Sequence, residues 1–184
     1  EYRIDKLNAF VLVIVTAIGA VVMPYAKRTV DAEIPMSRVY LFYTMVLLCE
    51  TGLLGIAITG DAFNLFVFLE ISSLSSYVLI SLGKDRRCLT AAYRYLIMGN
   101  IGATFYIIGV GLMYMVTGTL NIADLAILVP EMVDSRTIHA ALAFLTVGLA
   151  LKAALFPLHM WLPNAYAYAP SAVTVFLAAT ATKV

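Results

Sequence analysis

The chain has 184 residues, a length that suits one soluble domain, but its composition excludes that class. Hydrophobic residues make up 62% of the chain and charged residues 12%, and the mean hydropathy is +0.94, which is typical of a polytopic membrane protein. The formal net charge of +1 gives no basic field for nucleic acid and no acidic field for a basic partner.

Six apolar segments predict an all-α bundle of transmembrane helices. Pro24, followed by Lys27 and Arg28, is expected to close the first segment, and Gly60 and Asp61 leave a tight turn between the second and the third. The last segment spans about 21 Å as a helix, too short to cross a bilayer, so we expect an internal piece of a longer chain. The segments cover residues 7–23, 39–59, 63–82, 91–117, 138–170 and 171–184.

Basic residues in the loops predict the orientation in the membrane. Six lysines and arginines lie in the loops 24–38 and 83–90, against three on the opposite side. Because short cytoplasmic loops are enriched in basic residues, these two loops are predicted to be cytoplasmic. The turn at Asp61 is then expected to face outward.

Several residues are expected at the membrane interface. Asn121 and Asp124 have the spacing of a helix N-cap with an acidic third residue, which indicates either a short helix on the outer face or an ordinary loop turn. Arg94 begins the fourth segment and is expected to extend its guanidinium to the interface. Trp161 and the tyrosines that follow it are expected to join an aromatic belt.

The fifth segment, residues 138–170, combines a charge with a helix breaker. Lys152 lies in its apolar part, and an unpaired charge at this depth costs about 2.5 to 3.5 kcal/mol, so such a lysine indicates a functional site. Pro157 is expected to break the helix and to leave the carbonyl of Ala153 without its helical partner. A charge beside a broken helix is typical of ion-translocating proteins.

Two glutamates lie inside the second and third segments. Glu50 and Glu70 flank the Asp61 turn almost symmetrically, which puts both carboxyl groups about 14 Å from it on antiparallel helices. If they face each other they cannot easily ionise together, and such a pair can share a proton or hold a cation. Alternatively, Glu50 is protonated and hydrogen-bonded to a neighbouring helix. Glu70 forms either a transport pair or a fixed ion pair with Lys152.

Lys183 and His159 are further candidates for a proton relay. Lys183 could be a buried member of the relay or a helix-end lysine that reaches the interface. His159, just after Pro157, could carry protons to the cytoplasmic side or could be a hydrogen-bonded packing residue. The sequence has no metal-ligand spacing and no phosphate-binding loop, so neither a metal nor a cofactor is expected.

Four stretches resemble the antiporter-like membrane subunits of multisubunit Na+/H+ antiporters, respiratory complex I and membrane-bound hydrogenases. The resemblance extends over residues 39–184, and the combination of a glutamate with a broken-helix lysine is specific to this group. The stretches are GDAFNLFVFLEISSLSSYVLISLG, VTGTLNIADL, LALKAALFPLHMWLPNAYAYAP and the closing TKV.

The resemblance implies two inverted five-helix repeats, of which residues 39–184 form the first, preceded by one transmembrane helix and a cytoplasmic loop in residues 1–38. It implies that Glu70 is the glutamate of a glutamate–lysine pair, Lys152 the broken-helix lysine, and Lys183 the lysine of the following helix. It also implies other membrane subunits as partners, protons and monovalent cations as the transported ions, and a bacterial inner membrane as the location.

Two positions bear on the choice within this family. Members from complex I usually carry an aspartate and a histidine after the Trp-Leu-Pro sequence, where this chain has Asn164 and Tyr166. This difference favours a proton-translocating component of a Na+/H+ antiporter, similar to its D-type membrane subunits. The alternatives are a proton-pumping subunit of NADH:quinone oxidoreductase or of a membrane-bound hydrogenase, without redox centres of its own, and a membrane scaffold without transport.

Overall fold

The computed structural model describes residues 2–181 and residue 184, and within them eight α-helices and no β-strand are formed. The helices are α1 (Lys6–Glu33), α2 (Val39–Ile58), α3 (Ala62–Ser81), α4 (Arg87–Thr117), α5 (Ile122–Glu131), α6 (Arg136–Lys152), α7 (Leu162–Tyr168) and α8 (Ser171–Thr180). Helices α1 to α4 are each long and apolar enough to cross a membrane. This confirms the prediction of an all-α transmembrane bundle.

Helix α1 is longer than predicted. The side chain of Asp5 caps its start by accepting hydrogen bonds from the backbone N–H groups of Leu7 and Asn8. The helix then continues through Pro24 to Glu33, so the prediction that Pro24 closes this segment is wrong. A proline removes one helical hydrogen bond, whereas ending the helix inside hydrocarbon would leave several backbone groups without partners.

One end of the bundle, which we call the Asp61 end, is built around the turn between α2 and α3. Asp61 caps α3 by accepting hydrogen bonds from the N–H groups of the second and third residues after it. Asn121 pairs with Asp61 in a β-bridge and caps α5 through the N–H of Ala123. Of the two alternatives for this stretch, the short helix is therefore the one that is formed.

The opposite end, which we call the basic end, joins α1, the loop between α3 and α4, and α8. The ammonium of Lys84 donates a 2.6 Å hydrogen bond to the carbonyl of Ala32. The carboxylate of Glu33 accepts hydrogen bonds from the backbone N–H and the hydroxyl of Ser171, at 2.8 and 2.6 Å. Both predicted basic loops therefore lie at one end of the bundle, and its cytoplasmic location stays a prediction.

Glycines let the central helices approach closely. A Cβ added to Gly52 of α2 would lie 2.7 Å from the backbone nitrogen of Ser72 in α3. A Cβ added to Gly148 of α6 would lie 2.7 Å from the backbone nitrogen of Tyr106 and 2.8 Å from the carbonyl oxygen of Gly102, both in α4. These contacts pack α3 against α2 and α6 against α4, and they bring the end of α6 to the middle of α3.

The helix break near Pro157 is confirmed, but it begins earlier than predicted. Helix α6 ends at Lys152, and regular helix resumes only at Leu162. Ala154 adopts a left-handed conformation with φ of 52°, which an α-helix cannot include. As expected, the carbonyl of Ala153 accepts no backbone hydrogen bond within the described residues, but the helix has already ended at Lys152, five residues before Pro157.

Candidate functional site

The structure brings Glu70 and Lys152 into direct contact. The Nζ of Lys152 lies 2.8 Å from Oε1 of Glu70 and donates a second hydrogen bond of 2.9 Å to Oγ of Ser73. The exposed fractions of the two charged side chains are 9% for Lys152 and 18% for Glu70. An ion pair with this burial is stabilised mainly by its own partners, since little water reaches it.

The local sequence explains this geometry. Glu70 and Ser73 are three residues apart on α3, so their side chains share one face of the helix. Lys152 is the last residue of α6, where the helix dipole is negative and favours a cation. Because the helix breaks directly after it, Lys152 lies at a helix end, and its side chain contacts α3.

A small cavity with both polar and apolar walls adjoins the lysine. Its volume is about 50 Å³, which is enough for a few water molecules. Its polar lining comes from the hydroxyl-bearing side chains of Ser72, Ser73, Ser76 and Tyr95 together with Lys152. Ser72, Ser73 and Ser76 are buried on α3. This serine-rich stretch is not among the predicted site residues, although it directly follows Glu70.

An aromatic stack supports the end of α6. The indole of Trp161 lies parallel to the ring of Tyr95, with centroids 4.0 Å apart, and Tyr77 packs edge-on against Tyr95 at 4.5 Å. The Nε1 of Trp161 donates a 3.1 Å hydrogen bond to the carbonyl of Leu151. Trp161 is only 5% exposed, so its predicted place in an aromatic belt is wrong, since its ring completes the core beside Lys152.

Glu50 and Glu70 face different helices. The carboxyl group of Glu50 lies against Gly19 of α1, whereas that of Glu70 contacts Lys152 of α6. Cys49, the residue before Glu50, is the one that faces α3, where its sulfur lies 3.4 Å from Oγ of Ser76. The carboxylate pair considered from the sequence is therefore not formed. Successive residues of a helix point about 100° apart, so Glu50 turns away from α3 when Cys49 faces it.

The remaining predicted site residues lie beyond the break or outside the described part. His159 is half-buried in the segment between α6 and α7, and its ring lies 5.6 Å from that of Phe156. Its Nδ1 is buried and has no hydrogen-bond partner within the described residues. The alternative in which His159 is a hydrogen-bonded packing residue is therefore not supported at this atom. Lys183 lies outside the described residues, and its role stays a prediction.

Comparison with known sequences shows which protein family the chain matches. A family model described as NADH:quinone oxidoreductase/Mrp antiporter, TM, matches residues 59–184. The chain is 49% identical over 184 residues to the N subunit of the NADH-quinone oxidoreductase of Desulforudis audaxviator, a match that covers 100% of this chain and 36% of that protein. It is 34% identical over 180 residues to the D subunit of the Na(+)/H(+) antiporter of Alkalihalophilus pseudofirmus, with 98% and 36% covered.

A solved structure shows the same fold. A chain of the membrane-bound sulfane sulfur reductase, an archaeal respiratory membrane complex, matches with a TM-score of 0.89 and 34% sequence identity, over 96% of this chain and 35% of that chain. The chain thus spans about a third of the length of these relatives. The four candidate spans and the bacterial relatives confirm an integral protein of the inner membrane. The chain belongs to the NADH:quinone oxidoreductase/Mrp antiporter family of membrane proteins.

Proposed function

We propose that the chain is part of a proton-translocating membrane subunit in which Glu70 and Lys152 exchange ionisation states. The observation that carries this proposal is the 2.8 Å contact between Lys152 Nζ and Glu70 Oε1 at the broken end of α6. Each charge is stabilised by the other, so protonation of the carboxylate removes the partner of the ammonium and favours release of its proton. The pair therefore has two states that differ by the position of a proton.

The released proton would enter the cavity beside Lys152, which is bordered by the Ser73 hydroxyl and by Ala181 and Val184. We assign Lys183 as the next group of the relay, as the family resemblance implies. Water in the cavity would carry the proton away from Lys152 through hydrogen bonds.

The energetic cost of an unpaired charge in the bilayer can be compared with the energy of moving one charge across a membrane potential. Moving one charge across 100 mV is worth about 2.3 kcal/mol, and an unpaired charge in the bilayer costs about 2.5 to 3.5 kcal/mol. The two energies are similar in size, so a membrane potential can shift the balance between the two states of the pair. Glu50, against α1, and His159, beyond the break, remain secondary candidates because neither touches the pair.

Two assemblies fit this function. The 34% identity to the antiporter relative and the residues Asn164 and Tyr166 support a multisubunit monovalent cation (Na+)/H+ antiporter. The 49% identity to the oxidoreductase relative supports NADH:quinone oxidoreductase. Purification of the full-length protein with its partners separates them, since flavin and iron–sulfur proteins accompany only the oxidoreductase.

We further propose that residues 39–184 form the first of two inverted five-helix repeats and that residues 1–38 add a helix and its loop. We assign α2, α3, α4 and the broken α6–α7 to four crossings of this repeat and the ten-residue α8 to part of the fifth. Helix α1 packs outside them, against α2 and α8.

The proposal is tested by Glu70→Gln and Lys152→Met in the full-length protein within its complex, in inverted membrane vesicles. For an antiporter the readout is collapse of the pH gradient on addition of Na+, and for an oxidoreductase it is acidification driven by NADH. Both variants are expected to lose transport, and the rate is normalised to the amount of assembled complex, since each variant leaves one buried charge without its partner. Glu131→Gln and Lys27→Met, at exposed positions of α5 and α1, are the matched controls. These two variants should retain transport. Transport at the wild-type rate in both site variants would refute the relay.

A further inference from the structure

A groove between α4 and the segment around α7 is lined by positively charged side chains at one end and by apolar side chains at the other. Two adjoining cavities form it, and they share the side chains of Arg94 and Asn164. The first, about 190 Å³, has walls of mixed polarity and is lined also by Arg87 and Tyr168. The second, about 360 Å³, is almost entirely apolar, and its walls come from Tyr93, Ile97, Met98, Met160 and Trp161. We call the two together the Arg94 groove.

The charge of Arg94 has no partner among the residues that the structure describes. Its side chain is exposed on α4, and it makes no hydrogen bond or ion pair within the described residues. Arg87 lies seven residues earlier on the same face, about 10 Å away along the helix axis. Its guanidinium lies over the ring of Tyr168 at 5.8 Å, and its ion pair with Asp85 is long, at 4.0 Å, and exposed. Both guanidinium groups are therefore available to an anion.

The order of these features along the helix matches that of a phospholipid. Arg87 starts α4 at the basic end, where Lys84 and Arg86 add positive charge. The apolar wall at Ile97 and Met98 lies about 15 Å further along the helix, toward the bilayer centre. A phosphate diester bonds well to the planar guanidinium of arginine, and an acyl chain fills an apolar groove. Basic pockets between helices on the cytoplasmic side commonly bind anionic headgroups.

We propose that the Arg94 groove binds an anionic phospholipid, with its phosphate between Arg94 and Arg87 and one acyl chain along Met98 and Met160. In this proposal Arg94 still extends to the membrane interface, and its guanidinium forms one wall of the groove there. Trp161 borders the groove, and neither Glu70 nor Lys152 lines it. Its occupation is independent of whether Glu70 and Lys152 carry protons.

Trp161 provides the probe for a test. In the full-length protein, with the other tryptophans replaced by phenylalanine, its fluorescence is measured in bilayers that contain brominated phosphatidylglycerol or brominated phosphatidylcholine at equal mole fractions. Bromine quenches only at short range, so quenching reports an acyl chain in the groove. We expect apparent binding of phosphatidylglycerol to be about fivefold stronger than that of phosphatidylcholine. Excess inorganic phosphate should not reverse it, because the acyl chain is held separately.

Variants assign the preference to the groove. Arg94→Gln should abolish the preference for phosphatidylglycerol, and Arg94→Lys should keep part of it. Arg28→Gln, the same charge change at an exposed position near the basic end of α1, should leave it intact. Native mass spectrometry of the purified complex provides a second readout, in which Arg94→Gln retains fewer phosphatidylglycerol molecules.

Three results would overturn the proposal. Equal quenching by the two lipids would show that the groove has no preference for an anion. An unchanged preference in Arg94→Gln would place the anionic site elsewhere. Absence of quenching by either lipid would show that protein, from the rest of the chain or from a neighbouring subunit, covers the groove.

Discussion

The indole of Trp161 donates a 3.1 Å hydrogen bond to the carbonyl of Leu151, the residue directly before Lys152. This bond crosses the break and ties the segment that leads into α7 to the last turn of α6. Because Trp161 also stacks on Tyr95 of α4, the position of Lys152 is fixed from two directions. The lysine at the end of a broken helix is thus held in place by a residue nine positions further along the chain.

Replacement of Trp161 by phenylalanine removes this bond and keeps an aromatic ring in the stack. We expect the apparent free energy of unfolding in detergent to fall by about 1 kcal/mol, since the Leu151 carbonyl still accepts a bond from the N–H of Ala154. We also expect proton transport to slow, because the end of α6 can move Lys152 away from Glu70. Transport in vesicles and thermal unfolding measure the two effects.

Tyr106→Phe is the matched control for this variant. It also removes a hydrogen bond from an aromatic residue to a carbonyl, that of Ala62 at 3.1 Å, but at the start of α3. It should cost a similar amount of stability and leave transport unchanged. If Trp161→Phe and Tyr106→Phe affect transport equally, Trp161 has no special role in positioning Lys152.

The pairing of Glu70 with Lys152 could be predicted because a charge in an apolar segment has few ways to be stabilised. The residue at which the break starts could not be predicted. It depends on the left-handed conformation of Ala154 and on the hydrogen bond from Trp161, which are set by tertiary contacts. Similarly, an aromatic residue beside an apolar segment fits both a lipid interface and a buried stack. The composition around Trp161 is the same in both cases, and only the packing on Tyr95 separates them.

Ser73 illustrates a signal that is present in the sequence. It follows Glu70 by three residues on α3, so the helical spacing alone places its hydroxyl beside the carboxylate. By contrast, nothing in the sequence shows that Glu50 turns to α1 while Cys49 faces α3. All faces of α2 are apolar, so its rotation is decided by how the neighbouring helices pack.

Ser73→Ala removes one of the two acceptors of the Lys152 ammonium. A hydrogen bond to a charged group contributes about 1.5 to 3 kcal/mol, so we expect transport to fall roughly tenfold or more while the complex still assembles. Ser75→Ala is the control, because the Ser75 hydroxyl bonds to the carbonyl of Ile71 within α3. Ser73→Thr retains an acceptor and should recover part of the rate. Equal rates for the two alanine variants would contradict a role for Ser73.

A charge-exchanged pair distinguishes a relay from a fixed ion pair. In Glu70→Lys combined with Lys152→Glu, opposite charges again face each other between α3 and α6. A single substitution that leaves one buried charge without its partner costs about 3 to 5 kcal/mol, so each single variant should assemble poorly and the double variant better. We expect transport to remain at background in the double variant, because the acid and the amine have exchanged their places along the route. Recovery of transport together with assembly would identify the pair as structural only.

Close packing of α4 against α6 should be as necessary as the charged pair. Gly148→Ala places a methyl group 2.7 Å from the backbone nitrogen of Tyr106 and 2.8 Å from the carbonyl oxygen of Gly102, and backbone atoms cannot rotate away. We expect destabilisation by about 1 to 3 kcal/mol, together with loss of transport as α6 shifts and carries Lys152 from Glu70. Thermal unfolding of the purified complex measures the first effect and vesicle transport the second.

Gly111→Ala is the control for this packing, since a Cβ added to Gly111 on α4 meets no atom of a neighbouring element within 4 Å in the described part of the chain. Alanine is the better helix former, so this variant should be as stable as the wild type or slightly more stable. The difference between the two variants then isolates the contact between α4 and α6 from the helix propensity of alanine. If Gly148→Ala matches Gly111→Ala in stability and transport, the helices have room to separate, and the position of Lys152 does not depend on their close approach.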